Sequence, residues 1–109
     1  MTTPQPLSSG PTCALPIPAA LATVTVTFNP ALSELEAQLR ALPATSPKVI
    51  VDNGSRPQLL AEIESLASRF QNVHLMRNVT NLGLATAVNR GVQWLTSLIS
   101  VPEFVLLLD

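Results

Sequence analysis

The chain has 109 residues and a formal net charge of −1, and only 12% of its residues are charged. This length allows one domain with one modest core, and the charge balance excludes nucleic-acid binding driven by phosphate neutralisation. Cys13 is the only cysteine, so neither an internal disulfide nor a cysteine zinc site can form. No apolar run reaches the 18 residues of a transmembrane helix, and the N-terminal residues lack the positive charge of a signal peptide. We therefore expect a cytoplasmic protein.

The first 22 residues hold five of the ten prolines and are rich in Thr and Ser, which predicts a disordered tail over residues 1–22. The first strand is predicted over Thr23–Phe28, where β-branched residues dominate. Its alternation of Thr with Val is typical of a half-exposed strand rather than of a central parallel one. The dipeptide Asn29-Pro30 then predicts a turn.

Strands and helices alternate in the rest of the chain. Leucines at helical spacing predict the first helix, and the continuous apolar run before Asp52 predicts a buried parallel strand. In chain order the remaining predicted elements are a helix over Ala31–Leu42, a strand over Lys48–Asp52, a helix over Pro57–Phe70, a strand over Asn72–Arg77, a helix over Gly83–Ser100 and a strand over Glu103–Asp109. This βαβαβαβ order predicts one α/β domain over residues 23–109, with a parallel, Rossmann-like sheet and helices on both faces.

Polar residues follow the end of each predicted strand. Parallel strands bring their carboxyl ends to one edge of the sheet, where ligands of α/β proteins bind. The residues expected at this edge are Thr27, Phe28, Asn29, Asp52, Asn53, Gly54, Ser55, Arg77, Asn78 and Asp109. An aromatic ring can stack on a base, amides and carboxylates can bind a base or ribose, and a metal held by an acid can meet a diphosphate. The mixture therefore favours a nucleotide.

Several of these residues could have structural roles instead of binding a ligand. Asp52 or Ser55 could cap the second helix. For Asp52, spacing alone supports a cap and a ligand contact equally. Local chemistry favours Asn81 as the N-cap of the third helix, and Gly91 could let that helix approach the sheet closely. Trp94 is expected to be a packing residue. The chain has no G-x-G-x-x-G after its first strand and no P-loop, which argues against dehydrogenases and NTPases.

Four sequence blocks together resemble the start of family 2 glycosyltransferases, in particular the bacterial rhamnosyltransferase branch. The blocks are V-T-V-T-F-N-P, V-I-V-D-N-G-S, N-L-G-L-A-T-A-V-N-R-G and F-V-L-L-L-D, and the resemblance covers residues 23–109. It implies the nucleotide-binding half of a GT-A fold with strand order 3-2-1-4. It also implies a nucleotide-sugar donor, dTDP-rhamnose or a UDP-sugar, an acceptor hydroxyl, and a role in cell-wall polysaccharide synthesis.

The resemblance also implies roles for individual residues. Phe28 matches the aromatic residue against the pyrimidine, and Asp52 matches the carboxylate that accepts the base N–H. Asn81, Gly83 and Asn89 match a block that lines the donor site. Asp109 matches the first acid of a D-x-D element, whose second acid meets Mg²⁺ or Mn²⁺. Because the sequence ends inside that element, we expect a donor-binding fragment that is inactive alone and exposes sheet surface through which it self-associates.

Two other interpretations are open. The chain could be a small non-enzymatic nucleotide-binding or interaction domain of flavodoxin-like topology. A first strand at the sheet edge would favour that class, whereas an internal first strand would favour the glycosyltransferase half. A gene fragment that does not fold stably is the third interpretation, which cooperative unfolding would argue against.

Overall fold

A computed structural model describes residues 21–98, 102 and 104–108. It contains seven elements in the predicted order of strands and helices. Their bounds are β1 Leu21–Thr27, α1 Leu32–Ala41, β2 Lys48–Asp52, α2 Pro57–Ala67, β3 Val73–Arg77, α3 Leu84–Thr96 and β4 Phe104–Leu108. The chain therefore has the α/β architecture that the alternating pattern predicts.

The four strands form one parallel sheet in the order β3-β2-β1-β4. This confirms the predicted 3-2-1-4 order, and it places β1 inside the sheet rather than at an edge. The flavodoxin-like topology of the alternative interpretation, whose strand order is 2-1-3-4-5, is therefore wrong. The half-exposed character predicted for β1 is wrong as well, because Thr23, Thr25 and Thr27 are all buried. Two of the three threonine hydroxyls make side-chain hydrogen bonds, which lowers the cost of burying them.

The helices cover both faces of the sheet, so the domain has three layers. Helices α1 and α2 lie on one face, where Leu35 and Leu39 pack with Ile50 and Ile63. Helix α3 lies on the other face, where Ala87 and Leu95 pack against valines of β1 and β2. The alternation of side chains along each strand assigns successive residues to the two cores.

Helix α3 lies very close to the sheet at Gly91. A Cβ atom at this position would lie 2.7 Å from Cγ1 of Val24 and 3.2 Å from Cγ2 of Val51. Gly91 is therefore required for the close approach, as the sequence suggested. Trp94, one turn further along α3, stacks on His74 with ring centroids 4.1 Å apart, which confirms its packing role.

Element ends differ slightly from those predicted. Strand β1 begins at Leu21, two residues earlier than expected and inside the segment predicted as tail, and Ala22 is fully buried. Helix α2 ends at Ala67 and α3 at Thr96, each before the last residue of its apolar pattern. The rest of the predicted tail and Asp109 lie outside the described residues. Across residues 21–98, no helix combines the length and the apolar character needed to cross a membrane.

Candidate functional site

A cavity lies at the carboxyl end of β1. Strands β2 and β3 are added on one side of β1, and the chain then returns through α3 to place β4 on the other side. The order in which strands are added therefore reverses between β1 and β4. This is the switch point at which open α/β sheets bind ligands. The cavity has a volume of about 520 Å³, which suits a small molecule. It is lined by Thr25, Val26, Thr27, Phe28, Pro30, Ala31, Glu34, Leu35, Gln38, Asn53, Asn81 and Leu84.

Phe28 forms an exposed aromatic wall of this cavity. It directly follows the last residue of β1, and 53% of its surface is accessible to solvent. A phenylalanine that served only the core would be buried. The position therefore leaves the ring free to contact a planar ligand.

Asp52 is buried beneath the site and makes only internal hydrogen bonds. Its Oδ1 accepts from the hydroxyls of Thr27 (2.8 Å) and Ser55, and its Oδ2 accepts from the backbone N–H of Ser55 (2.8 Å). The residue has no accessible surface. Asp52 therefore ties the end of β1 to the turn after β2. Neither Asp52 nor Ser55 caps α2, whose N-cap is Arg56 without a side-chain cap, so the structure excludes the capping role that the sequence left open for them.

Asn53 organises the loop between β3 and α3. Its Oδ1 accepts from the Asn78 side chain (3.0 Å) and the Leu82 backbone (2.9 Å), while its Nδ2 donates to Oδ1 of Asn81 (3.0 Å) and the Gly83 carbonyl (3.2 Å). These four bonds use the full capacity of the amide. Asn53 therefore shapes one wall of the cavity, and Asn78, which is buried, belongs to the same network.

Asn81 and Gly83 lie where α3 begins, but Asn81 is not the N-cap. The N-cap is Gly83, with a positive φ of 87°, and Oδ1 of Asn81 accepts its backbone N–H (2.8 Å). The prediction that Asn81 is the N-cap is therefore wrong, because the N-cap lies two residues later in the chain. Since this oxygen also accepts from Asn53, the Asn81 amide nitrogen is the group left to face the cavity.

Asn29 fastens the turn after β1 to the start of α2. Its backbone N–H donates to the Ser55 hydroxyl (2.8 Å), and its Oδ1 accepts from the Arg56 N–H (3.0 Å). Gly54, in the facing turn, has a φ of 96°, and a Cβ there would lie 2.9 Å from the Thr80 carbonyl carbon. The two turns therefore hold the backbone next to Phe28, and the Asn29 side chain is used within the protein.

Two predicted contributors lie elsewhere. Arg77, expected at the ligand edge, forms an ion pair with Glu64 of α2 at 2.6 Å, because its side chain points to the α1/α2 face of the sheet. Asn89 lies midway between Ala87 and Gly91, which both face the sheet, so its side chain is on the exposed side of α3. The neighbouring Arg90 instead reaches the site's supporting network, by donating to Oδ1 of Asn78.

Sequence reasoning missed the contribution of α1. Glu34 and Gln38 both line the cavity, and Thr25 donates to Oε1 of Gln38 at 2.9 Å. The signal was their spacing of four residues on one helix, which places them on the same face. It went unnoticed because both residues lie within an element expected only to pack.

The described residues do not fit a divalent metal. Mg²⁺ requires carboxylate oxygens that are free to bind it, whereas both oxygens of Asp52 accept internal hydrogen bonds. Among residues 21–98, 102 and 104–108, no three His, Cys, Asp or Glu side chains form a group that could hold a metal ion. Asp109, the predicted metal ligand, lies outside the described residues.

Comparison with known proteins gives one match. The family model described as Glycosyl transferase family 2 matches residues 34–109, which is most of the chain. No curated protein and no solved structure matches the chain significantly. The matched range includes most of α1, the turns after β2 and β3, and α3, which together provide much of the cavity wall.

Proposed function

Because the chain belongs to glycosyl transferase family 2, we propose that its cavity binds the nucleoside part of a nucleotide-sugar donor for glycosyl transfer to an acceptor hydroxyl. The observation that carries this proposal is the exposed Phe28 ring at the switch point of the sheet. Stacking on an aromatic side chain contributes about 1–3 kcal/mol per base. The neighbouring Asn81 amide nitrogen supplies a hydrogen-bond donor for a base or ribose.

Electrostatics support assigning the nucleoside rather than the diphosphate to this cavity. Among the described residues that line it, Glu34 is the one charged side chain, and it is acidic. A diphosphate needs cationic partners, which the lining does not provide. The phosphates and sugar would therefore extend away from the cavity.

The donor is proposed to be dTDP-rhamnose or a UDP-sugar, and the full enzyme to act as a rhamnosyltransferase with Mg²⁺ or Mn²⁺. This specificity rests on the motifs around Phe28, Asp52 and Gly83. A divalent ion would neutralise charge that develops on the diphosphate leaving group. Since the described residues lack a metal-ligand set, we expect this 109-residue chain to bind the donor without transferring sugar. A cytoplasmic location, suggested by the single cysteine, is part of the proposal.

Calorimetric titration of the 109-residue chain with uridine, thymidine, UDP, dTDP and adenosine tests donor binding. We expect the pyrimidine compounds to bind and adenosine to bind at least tenfold more weakly. The Phe28→Ala variant should lose about tenfold or more in affinity, as expected for a lost stacking contact. Leu82→Ala, which also truncates an exposed apolar side chain but outside the cavity, is the control. Absence of pyrimidine binding by a folded chain would refute the proposal.

Turnover is tested separately with a radiolabelled donor and Mn²⁺. We expect neither sugar transfer nor donor hydrolysis above background from the 109-residue chain. Metal-dependent turnover would contradict the proposed inactivity while leaving the donor-binding proposal in place.

Self-association through β4 extends the proposal. Val105, Leu106 and Leu107 are 36%, 44% and 53% exposed, although they lie consecutively in a strand. Successive residues of a strand point to opposite faces, so both faces of β4 carry exposed apolar side chains. Within the described sheet β4 pairs only with β1, which leaves its other edge open to the β4 strand of a second copy.

A further inference from the structure

The Phe28 ring has no core packing to hold it in place. It is half exposed and belongs to neither of the two hydrophobic cores formed by the described residues. The backbone before it is fixed by the sheet, because Thr27 is the Cα partner of Asp52 and the Thr27 carbonyl accepts the Asn53 N–H at 2.8 Å. The direction of the ring therefore depends on the backbone that follows it.

Asn29, the next residue, has a left-handed backbone. Its φ is 47°, and in the described part of the chain only one other non-glycine residue, Asn72 with a φ of 59°, has a positive φ. Residues with a Cβ rarely adopt this conformation, although asparagine tolerates it better than most. Pro30 follows and further restricts the Asn29 backbone. Such a conformation persists only where surrounding contacts hold it.

Hydrogen bonds to the turn after β2 hold Asn29 in this conformation. Its backbone N–H donates to the Ser55 hydroxyl at 2.8 Å, and its Oδ1 accepts the Arg56 N–H at 3.0 Å. These bonds form a clasp, made of Asn29, Ser55 and Arg56, between the turns after β1 and β2. The Ser55 hydroxyl also donates to Oδ1 of Asp52, so one buried side chain joins the clasp to the carboxyl end of β2.

The turn after β2 has little room to move. Gly54 has a φ of 96°, and a Cβ atom there would lie 2.9 Å from the Thr80 carbonyl carbon. The Ser55 N–H donates to Oδ2 of Asp52 at 2.8 Å, which fixes the same turn from within. The clasp therefore connects Asn29 to a turn that is itself packed and hydrogen-bonded.

We propose that Asn29 and Ser55 are positioning residues, which hold the Phe28 ring at a fixed place relative to Asp52 so that a pyrimidine base can stack on the ring beside the carboxyl end of β2. Neither residue lines the cavity, so they act through Phe28 and Asp52. A turn that is ordered before the ligand arrives strengthens binding, because less entropy is lost on association. This inference rests on the proposed binding of a pyrimidine nucleotide.

The first experiment opens the clasp without straining the backbone. Asn29→Gly removes the Oδ1 acceptor, and glycine adopts both positive and negative φ values. If the ring is in place in about one tenth of the molecules, the apparent affinity falls about tenfold. In calorimetric titrations we therefore expect Asn29→Gly to bind uridine about fivefold to tenfold more weakly than wild type does.

Asn72→Gly is the matched control. Asn72 also combines a positive φ with a side-chain hydrogen bond, to the Ala44 carbonyl at 2.8 Å, but it precedes β3 and lies outside the cavity. This variant should bind uridine within twofold of wild type. An equal loss of affinity in the two glycine variants would refute a specific role for Asn29.

Asn29→Asp tests whether the acceptor is the relevant feature. Aspartate keeps an oxygen for the Arg56 N–H and also tolerates a left-handed backbone. Uridine affinity should therefore stay within about threefold of wild type. A loss as large as that of Asn29→Gly would contradict the clasp.

A double-mutant cycle tests whether Asn29 acts through Phe28. In the Phe28→Ala background there is no ring to position, so adding Asn29→Gly should change uridine affinity by less than about twofold. Independent losses that multiply in the double variant would refute the positioning role, because an effect on general stability does not depend on the ring.

NMR relaxation of the free chain measures the clasp without a ligand. We expect the order parameter of the Phe28 N–H to be about 0.85 in wild type and in Asn72→Gly, and below about 0.6 in Asn29→Gly. An unchanged order parameter in Asn29→Gly would show that the clasp does not hold Phe28.

The outcomes separate this inference from the proposed function. If wild type binds uridine and Asn29→Gly binds it equally well, the positioning role is refuted and the nucleoside site stands. If wild type binds no pyrimidine compound, the proposed function fails, and the role of the clasp in binding fails with it.

Discussion

The Thr27 hydroxyl donates a 2.8 Å hydrogen bond to Oδ1 of Asp52, and these two residues are also direct Cα partners in the β1–β2 register. The bond joins the carboxyl ends of the two central strands. Because the same carboxylate binds the Ser55 hydroxyl and backbone, it also fixes the turn after β2. One buried side chain therefore determines the relative position of the strand that ends at Phe28 and the loop that carries Asn53.

Asp52→Ala should destabilise the folded protein, because Asp52 makes hydrogen bonds within the protein. The substitution removes three hydrogen bonds and leaves the Thr27 and Ser55 hydroxyls buried without this acceptor, so we expect a loss of about 3 kcal/mol in the free energy of unfolding. Urea denaturation monitored by circular dichroism measures it. Thr27→Val, which removes only one of the bonds, should cost about 1 kcal/mol. Equal stability of Asp52→Ala and wild type would contradict the arrangement of this network.

Gly91→Ala should also destabilise the protein, although alanine is the better helix former. The new Cβ would lie 2.7 Å from Val24, so α3 or the valines must move, and overpacking of this kind costs about 1–3 kcal/mol. The gain in helix propensity is about 1 kcal/mol and does not offset the upper part of that range. Thermal unfolding provides the measurement, and a raised melting temperature would show that α3 does not approach the sheet so closely.

Asn89→Ala is the matched change on the opposite side of α3. Asn89 is exposed and lies outside the cavity lining, so the substitution should stabilise the helix by about 0.5 kcal/mol and leave uridine affinity within twofold of wild type. The sequence motif assigned this residue to the donor site. A loss of affinity greater than tenfold would show that Asn89 contributes to donor binding, as the sequence motif implies, despite its exposed position.

Because of Lys48, the free energy of unfolding should change with pH in the alkaline range. It is 2% exposed, its ammonium group donates to the carbonyls of Ser46 (2.8 Å) and Gln71 (3.1 Å), and burial lowers the pKa of Lys48 below its ordinary value of 10.5. Between the lowered folded-state pKa and 10.5, the unfolded chain holds more protons on this group than the folded chain. The contribution of Lys48 to stability therefore rises with pH through this window.

A Lys48→Met variant isolates this effect. The difference in unfolding free energy between wild type and Lys48→Met should shift in favour of wild type as the pH is raised from 7 to 10.5 in urea titrations. Arg40 and Glu36, which pair on the neighbouring surface of α1, are present in both proteins and cancel in the comparison. A difference that is constant over this pH range would show that Lys48 is not buried as a charged group.

Self-association should depend on β4. Leu107→Lys introduces a charge on an exposed apolar strand, so we expect it to reduce the dimer fraction measured by sedimentation velocity. Val79→Lys adds the same charge at a side chain that is 96% exposed in the loop before α3, and it should leave the dimer fraction unchanged. A wild-type chain that is monomeric at all concentrations would refute association through β4.

Much of the fold could be predicted from the sequence because its elements have strong local patterns. The run before Asp52 is continuously apolar, as in a strand buried on both faces, and the spacing of leucines identifies α1. The Thr–Val alternation of β1 was misleading, because period 2 reports side-chain polarity and not exposure. Thr25 and Thr27 are buried with partners on α1 and β2, which no local pattern reveals.

Local sequence determined which elements form, their order and the presence of an aromatic residue and amides after the strands, because periodicity and turn chemistry act between residues close in the chain. Tertiary structure alone decided which polar groups are free. It buried Asp52 under hydrogen bonds from Thr27 and Ser55, turned Arg77 toward Glu64, and left Glu34 open at the cavity. The reason is that the availability of a polar side chain depends on partners far away in sequence, which only the packed arrangement of strands and helices brings within bonding distance.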